Sequence, residues 1–190
     1  MMKVIFIRHG ATAGNAERRY IGTTDQPLTA AGEAEIRRRS YPKADLVIAS
    51  PLTRCLQTAA IIYPHQQPLI IPDLREMNFG RFENLNYQDL RNNPDYQKWL
   101  DSGGAIPFPE GEHPNDFRRR CRAAFADVMK EINQQAESAA FVVHGGTIMA
   151  ILSGFAQAPA DYFSYMTENG GGYICRYENG TLKDTRKLFE

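Results

Sequence analysis

The 190-residue chain carries no excess of charge of either sign: 22 Lys and Arg balance 22 Asp and Glu. Without a broad basic field, neither nucleic acid nor an anionic membrane surface is the expected partner. No apolar run approaches the roughly 20 residues of a membrane span. The run after Met1-Met2-Lys3 is too short for a signal-peptide core, and no small-residue cleavage site follows it. Cysteine is scarce: Cys55, Cys121 and Cys175 are odd in number and widely spaced. They fit neither a disulfide framework nor a metal-ligand spacing, so they read as reduced core thiols and the expected location is the cytoplasm. Also missing are an acidic cluster suited to Mg²⁺, a Gly-x-x-x-x-Gly-Lys-[Ser/Thr] nucleotide loop, any internal repeat and any low-complexity tract. No metal and no cofactor are therefore expected.

What remains is an ordinary globule, 43% hydrophobic and 23% charged, of a size suited to one domain over 1–190. Four apolar residues, Val4 to Ile7, read as a buried strand that stops at Arg8-His9. An arginine and an imidazole at the end of such a strand are costly unless something uses them. Gly10, Thr12, Gly14 and Asn15 follow as small groups able to wrap an anion.

The spacing predicts a helix over 30–40 capped by Thr29 and a second strand over 46–49. Ser50-Pro51 reads as cap and first-turn proline of a helix over 52–62, and 69–71 as a third strand. The segment 73–114, rich in Asn, Gly and Pro, reads as a lid-like insertion with helical patches near 87–92 and 95–100. Asn115-Asp116 cap a helix over 117–135, in which Arg118, Arg119 and Arg120 form part of the solvated side. A strand over 139–143 ends in His144-Gly145-Gly146, and helices over 147–155 and 160–166 follow. Asn179-Gly180 turns a closing hairpin over 172–177 and 181–187. This order predicts an α/β fold, a three-layer α/β/α sandwich with a mainly parallel sheet.

Ligands of such sheets bind beyond the carboxyl ends of the strands, where Arg8, His9, Arg54, Glu76 and His144 converge. Two histidines, two arginines and a carboxylate suit phosphoryl transfer. Arg8 and Arg54 offer planar forks to the phosphoryl oxygens, while Asn15 and the Gly145 amide add neutral donors. His9 is the expected nucleophile, since Gly10 leaves room beside it. His144 is expected to stabilise the transferring group as a donor, cationic in the complex. Glu76, near Met77, Phe79 and Phe82, would protonate the leaving oxygen with a raised pKa. Tyr20, Ile21, Gly22 and Thr23 could contact substrate. Trp99 and Tyr96 read first as lid packing, with stacking on an aromatic leaving group as the alternative. His65 and His113 read as surface residues.

These residues carry a resemblance. Arg8-His9-Gly10-Ala11-Thr12-Ala13-Gly14-Asn15 resembles the Arg-His-Gly-x-Thr-x-x-Asn signature of the histidine phosphatase superfamily, which includes the cofactor-dependent phosphoglycerate mutases. Ser50-Pro51-Leu52-x-Arg54, Leu74-Arg75-Glu76-Met77-Asn78-Phe79-Gly80 and His144-Gly145-Gly146 follow in the family's order. The resemblance implies a phosphoglycerate mutase-like fold and His9 as phosphorylated nucleophile. It also implies Glu76 as proton donor, with Arg8, Asn15, Arg54 and His144 as the phosphate pocket.

Glu-Met-x-Phe-Gly-x-x-Glu at Glu76 to Glu83 is similar to α-ribazole phosphatases and broad-specificity relatives. Met77 departs from the mutases, which usually carry arginine there. Asn84 and His113 depart from the phosphatases, which usually have Gly and often Ser at those places. The expected activity is thus metal-independent hydrolysis of a small phosphomonoester through phosphohistidine, with α-ribazole 5′-phosphate as first substrate. A broad-specificity phosphatase, a phosphoglycerate mutase and a non-enzymatic phospholigand-binding module are the alternatives, and a homodimer is compatible with the sequence.

Overall fold

In the computed structural model, which describes residues 1–132 and 135–189, the opening strand β1 (Met2–Arg8) lies inside the sheet. Its side chains alternate between two cores. Val4 and Phe6 enter one, Ile5 and Ile7 the other. A strand covered on both faces has no need of polar alternation, which is why the run is continuously apolar. Strands β2 (Leu46–Ala49), β3 (Leu69–Ile70), β4 (Ser138–Val143), β5 (Gly172–Glu178) and β6 (Thr181–Lys187) complete a six-stranded sheet ordered β3-β2-β4-β1-β5-β6. The first four are parallel, and β5 and β6 add an antiparallel edge. Asn179 and Gly180 both take positive φ, 51° and 78°, as a tight two-residue hairpin turn demands.

One face of the sheet is covered by α6 (Pro114–Ile132) and α7 (Gly145–Phe155), through Phe117, Phe125, Met129 and Ile151. The other is covered by α3 (Thr53–Ile62), through Cys55 and Ala59, with α2 (Ala30–Arg38) packed on it. The layers are those expected. A short α1 (Ala13–Ala16) follows β1, closed by reciprocal bonds between Thr12 and Asn15.

Segment 73–114 builds a small core of its own. Helices α4 (Tyr87–Leu90) and α5 (Pro94–Asp101), each capped by an asparagine side chain, bring Phe82, Leu90, Tyr96 and Phe108 together. Tyr20, Phe79 and Trp99 pack against that cluster. Gly80 holds φ at 53°, and a Cβ there would strike the Pro109 carbonyl, so the turn needs glycine.

Several local expectations change. Ser50 does not cap α3: the helix begins at Thr53, whose N–H and hydroxyl both go to the Asp25 carboxylate, at 2.8 and 2.7 Å. A carboxylate 28 residues upstream outcompetes the local hydroxyl. Helix α6 starts at Pro114 because His113, exposed, accepts the Asn115 N–H on Nδ1 and the Asp116 and Phe117 N–H groups on its carbonyl. The expected end of that helix near Gln135 falls partly on residues 133 and 134, outside the described residues. The helix over 160–166 is only a 3-10 turn, Tyr162–Tyr165. Of the three arginines expected at the solvated side, only Arg119 is exposed; Arg118 and Arg120 turn inward.

Candidate active site

Register assembles the site. Arg8 stands opposite Val143 across β1 and β4, so the next residues, His9 and His144, leave the sheet side by side. Ala49 of β2 pairs with Val142, which brings Ser50 to the same edge. The imidazole centroids are 5.1 Å apart and edge-on.

His9 has a defined tautomer. Its Nδ1 lies 2.7 Å from the Gly10 carbonyl, which can only accept. The proton is therefore on Nδ1, and Nε2 presents a lone pair. Burial, then the charges of Arg54 and Arg8, hold the ring well below the usual histidine range, so it is neutral near pH 7. Thr58 accepts the Gly10 N–H at 3.0 Å, and Asn169 donates to the His9 carbonyl at 3.1 Å.

His144 is fixed in the opposite tautomer. Arg54 Nε donates to its Nδ1 at 3.3 Å, leaving Nε2–H to donate to Ser50 Oγ at 2.7 Å. Burial, followed by Arg54, His9 and Arg8, keeps it neutral as well.

Arg54 is fully buried, and among the described residues no carboxylate pairs with it. Nη1 and Nη2 donate to the carbonyls of Thr24 and Gly22, at 2.9 and 2.7 Å. With the bond to His144, three of its five donors are engaged and two remain. Arg8 donates to the Thr167 carbonyl at 2.7 Å, while its buried Nε has no partner among the described residues. Burial weakens its hold on the proton, and Glu76 offsets part of that effect. A fully buried cation and a half-buried one, both bearing on His9, create a strong demand for an anion.

Glu76, 8% exposed, accepts the Met77 N–H at 2.9 Å and the Gly146 N–H at 3.0 Å. Burial raises its pKa; the two amides and the Arg54 and Arg8 charges only partly oppose this. Gly146 is required here, because a Cβ would run into the Glu76 carboxyl. The Gly145 amide lies at the N-terminus of α7, where His144 supplies no side-chain cap. Asn15 spends its Oδ1 on Thr12 and Asn169. Among the described residues no group of three or more His, Cys, Asp or Glu could hold a metal ion.

The loop Tyr20, Ile21, Gly22, Thr23 divides by role. Only Tyr20 lines the cavity of about 320 Å³ that opens above Arg8, Glu76 and Gly145. Ile21 is buried, and the Gly22 and Thr23 amides donate to Glu83. The cavity walls are Met77, Phe79, Trp99 and Phe108 on one side and Met149, Tyr162 and Phe163 on the other. Trp99 stacks on Phe108 at 4.7 Å, so it both packs the small cluster of segment 73–114 and faces the cavity.

Sequence reasoning missed four supporting groups. Glu83 accepts from Gly22, Thr23, Thr24 and Phe79, tying the loop that grips Arg54 to the 73–114 segment. Burial alone would raise its pKa, but the Thr24 hydroxyl and the three amides outweigh that and hold it low. Arg120, paired with Glu112 at 2.7 Å, donates to the carbonyls of Asp73, Arg75 and Glu76 and so fixes the Glu76 turn. Ser50 and Asn169 orient the two histidines. Glu83 and Ser50 lie within quoted motifs, which hinted at use without saying what they bond. Asn169 sits in an Asn-Gly-Gly-Gly run that signals only a turn.

Comparisons with known proteins give the family and the fold. A relative from Enterobacter sp. (strain 638), named "Probable phosphoglycerate mutase GpmB", is 35% identical over 170 residues, covering 84% of this chain and 77% of its own. The crystal structure of the α-ribazole phosphatase from Shigella flexneri superposes with a TM-score of 0.84 at 25% identity, covering 95% of this chain and 93% of that one. A phosphoglycerate mutase from Thermus thermophilus superposes with a TM-score of 0.70 at 27% identity, covering 95% and 96%. Residues 4–186 match the model of the histidine phosphatase superfamily, branch 1, and the chain belongs to that family.

Proposed function

We propose that this chain hydrolyses phosphomonoesters through a phosphoenzyme on His9. One observation carries the reading: a neutral imidazole with a free Nε2 sits in the field of Arg54 and Arg8, next to an apolar cavity that Arg8 and a buried carboxyl line. Nε2 attacks phosphorus in line with the leaving oxygen. The N–P bond forms as the P–O bond breaks. Arg8, the free donors of Arg54, the Asn15 amide and the Gly145 N–H receive the non-bridging oxygens. A bound dianion favours the imidazolium form of His144, whose Nδ1–H then turns to the phosphoryl group in place of Arg54 Nε. Glu76, entering protonated, gives its proton to the leaving oxygen. As carboxylate it then takes a proton from the water that displaces His9. No step needs a metal.

We read 73–114 as the lid that selects the leaving group. Its aromatic wall and Met77 favour a bulky, planar leaving group, and α-ribazole 5′-phosphate is the first candidate substrate. A broad-specificity phosphatase is the second. The mutase reading draws on the name of the Enterobacter relative and requires the phosphoenzyme to outlive product exchange. Three buried free cysteines suit a reducing compartment, so we place the activity in the cytoplasm.

The test is turnover of p-nitrophenyl phosphate in EDTA by wild type and His9→Ala. Wild type should be active, and the variant should lose on the order of 10⁴-fold or more. Full activity in His9→Ala, or loss of wild-type activity to EDTA, overturns the reading. A panel of α-ribazole phosphate, sugar phosphates and primed 3-phosphoglycerate then separates the substrates.

A further inference from the structure

Arg118 is the one charged side chain on the cavity wall that the phosphoryl chemistry leaves unengaged. It sits early in α6, between Phe117, which enters the core, and Arg119, which pairs with Asp116 at the surface. Its guanidinium lies over the Tyr162 ring, 4.5 Å from the centroid, so one face is anchored. The edge is not. Among the described residues no side chain or carbonyl accepts from any of its donors, the buried Nε included, and no carboxylate pairs with it. Arg120, two residues on, shows the contrast: it is saturated by Glu112 and three carbonyls. The cavity's own carboxyl, Glu76, is occupied by the Met77 and Gly146 amides.

A buried donor left without an acceptor costs about 1–3 kcal/mol, and a ligand that supplies the acceptor recovers it. Arg118 also belongs to a different part of the cavity: it lies on α6 against Tyr162, whereas His9 and His144 leave the ends of β1 and β4. The space between Arg118–Tyr162 and the opposite wall of Tyr20, Trp99 and Phe108 is flat-sided and apolar. Taking the hydrolase reading as its basis, we propose that Arg118 is a specificity residue: it donates to a hydrogen-bond acceptor at the far end of a planar, apolar leaving group whose phosphate lies against His9. The acceptor is a ring nitrogen or a carboxylate oxygen, which present the same lone pair to the guanidinium edge.

Three matched esters test this: 2-naphthyl phosphate, with no distal acceptor; quinolin-6-yl phosphate, with a ring nitrogen; and 6-carboxy-2-naphthyl phosphate, with an anion. Arg118→Met should lower kcat/KM about tenfold on the acceptor-bearing esters, mainly through KM. Its loss on the naphthyl ester should be several-fold smaller. Arg118→Lys, which keeps the charge without the fork, should fall between. Loss confined to the carboxylate ester supports the site with an anionic ligand. An equal loss on all three esters, or none on any, overturns the inference while leaving the hydrolase reading intact. Failure of wild type on all three esters while it turns over p-nitrophenyl phosphate overturns the inference alone; failure on p-nitrophenyl phosphate as well overturns both.

Discussion

The carboxyl edge of the sheet and the 73–114 segment divide the work of the cavity between them. At the edge, Arg8, His9 and His144 hang directly from paired strands, and their spacing is set by backbone register. Across the cavity, Met77, Phe79, Trp99 and Phe108 are held by a small aromatic cluster on loops and short helices. A phosphoryl group is the same in every substrate, so its receptor belongs on rigid elements. Leaving groups vary, and a loop-borne wall changes without disturbing the sheet. Glu76 and Arg54 stand at the seam. Glu76 is carried by the first turn of the 73–114 segment but bonded to α7, and Arg54 comes from α3 but is gripped by a loop that Glu83 of that segment ties down.

The largest expected effect breaks that seam at the proton donor. Glu76→Gln should lower kcat on alkyl phosphates about 10²- to 10⁴-fold. On p-nitrophenyl phosphate, whose leaving group needs no proton, the variant should release close to one equivalent of p-nitrophenol in a burst and then turn over slowly. The burst reads the first chemical step; the slow phase reads the lost base. Equal losses on both substrate types, without a burst, would show that Glu76 is not the acid.

A smaller effect should follow from cutting the tie at Glu83. Glu83→Ala frees the Gly22–Thr24 loop and with it the two carbonyls that hold Arg54. KM and the dissociation constant of inorganic phosphate should rise about tenfold, with kcat changed less. Glu83→Gln keeps the acceptor and should recover part of the loss. Unchanged phosphate affinity in Glu83→Ala would make the lid and the phosphate pocket independent.

The smallest effect concerns the edge alone. Both imidazoles are held neutral, below the value of 6.5 they have when solvated, mainly by burial and then by Arg54. The unfolded chain therefore binds more protons than the native one below about pH 6.5. The stability these groups confer is present above that value and lost as pH falls through it. Glu76, with its raised pKa, acts in the opposite sense, but it is one group against two. The ligand-free protein should lose about 5 °C of melting temperature between pH 7 and 5.5. Saturating phosphate should reduce the drop, since the dianion pairs with a cationic His144. A flat profile would contradict the buried neutral pair.

The sequence by itself determined the sheet, its strand ends and the chemistry placed there. Strands read as apolar runs between turn signals, and Arg8-His9 and His144-Gly145-Gly146 are abrupt stops in such runs. These are local patterns, imposed by burial within a few residues, so they survive without knowledge of the fold. Tertiary structure alone decided the rest. Ser50 looked like a cap because the local rule favours it, yet Asp25 takes the cap and Ser50 bonds His144, 94 residues away. Arg118 and Arg119 are adjacent and alike in sequence, but the helix turns one over Tyr162 and the other into water. Glu83 grips a loop about 60 residues upstream, and Asn169 reaches Asn15 across 154. A polar side chain is satisfied by whichever partner the packing brings nearest, and strand register and helix packing choose that partner only once the whole chain has closed on itself.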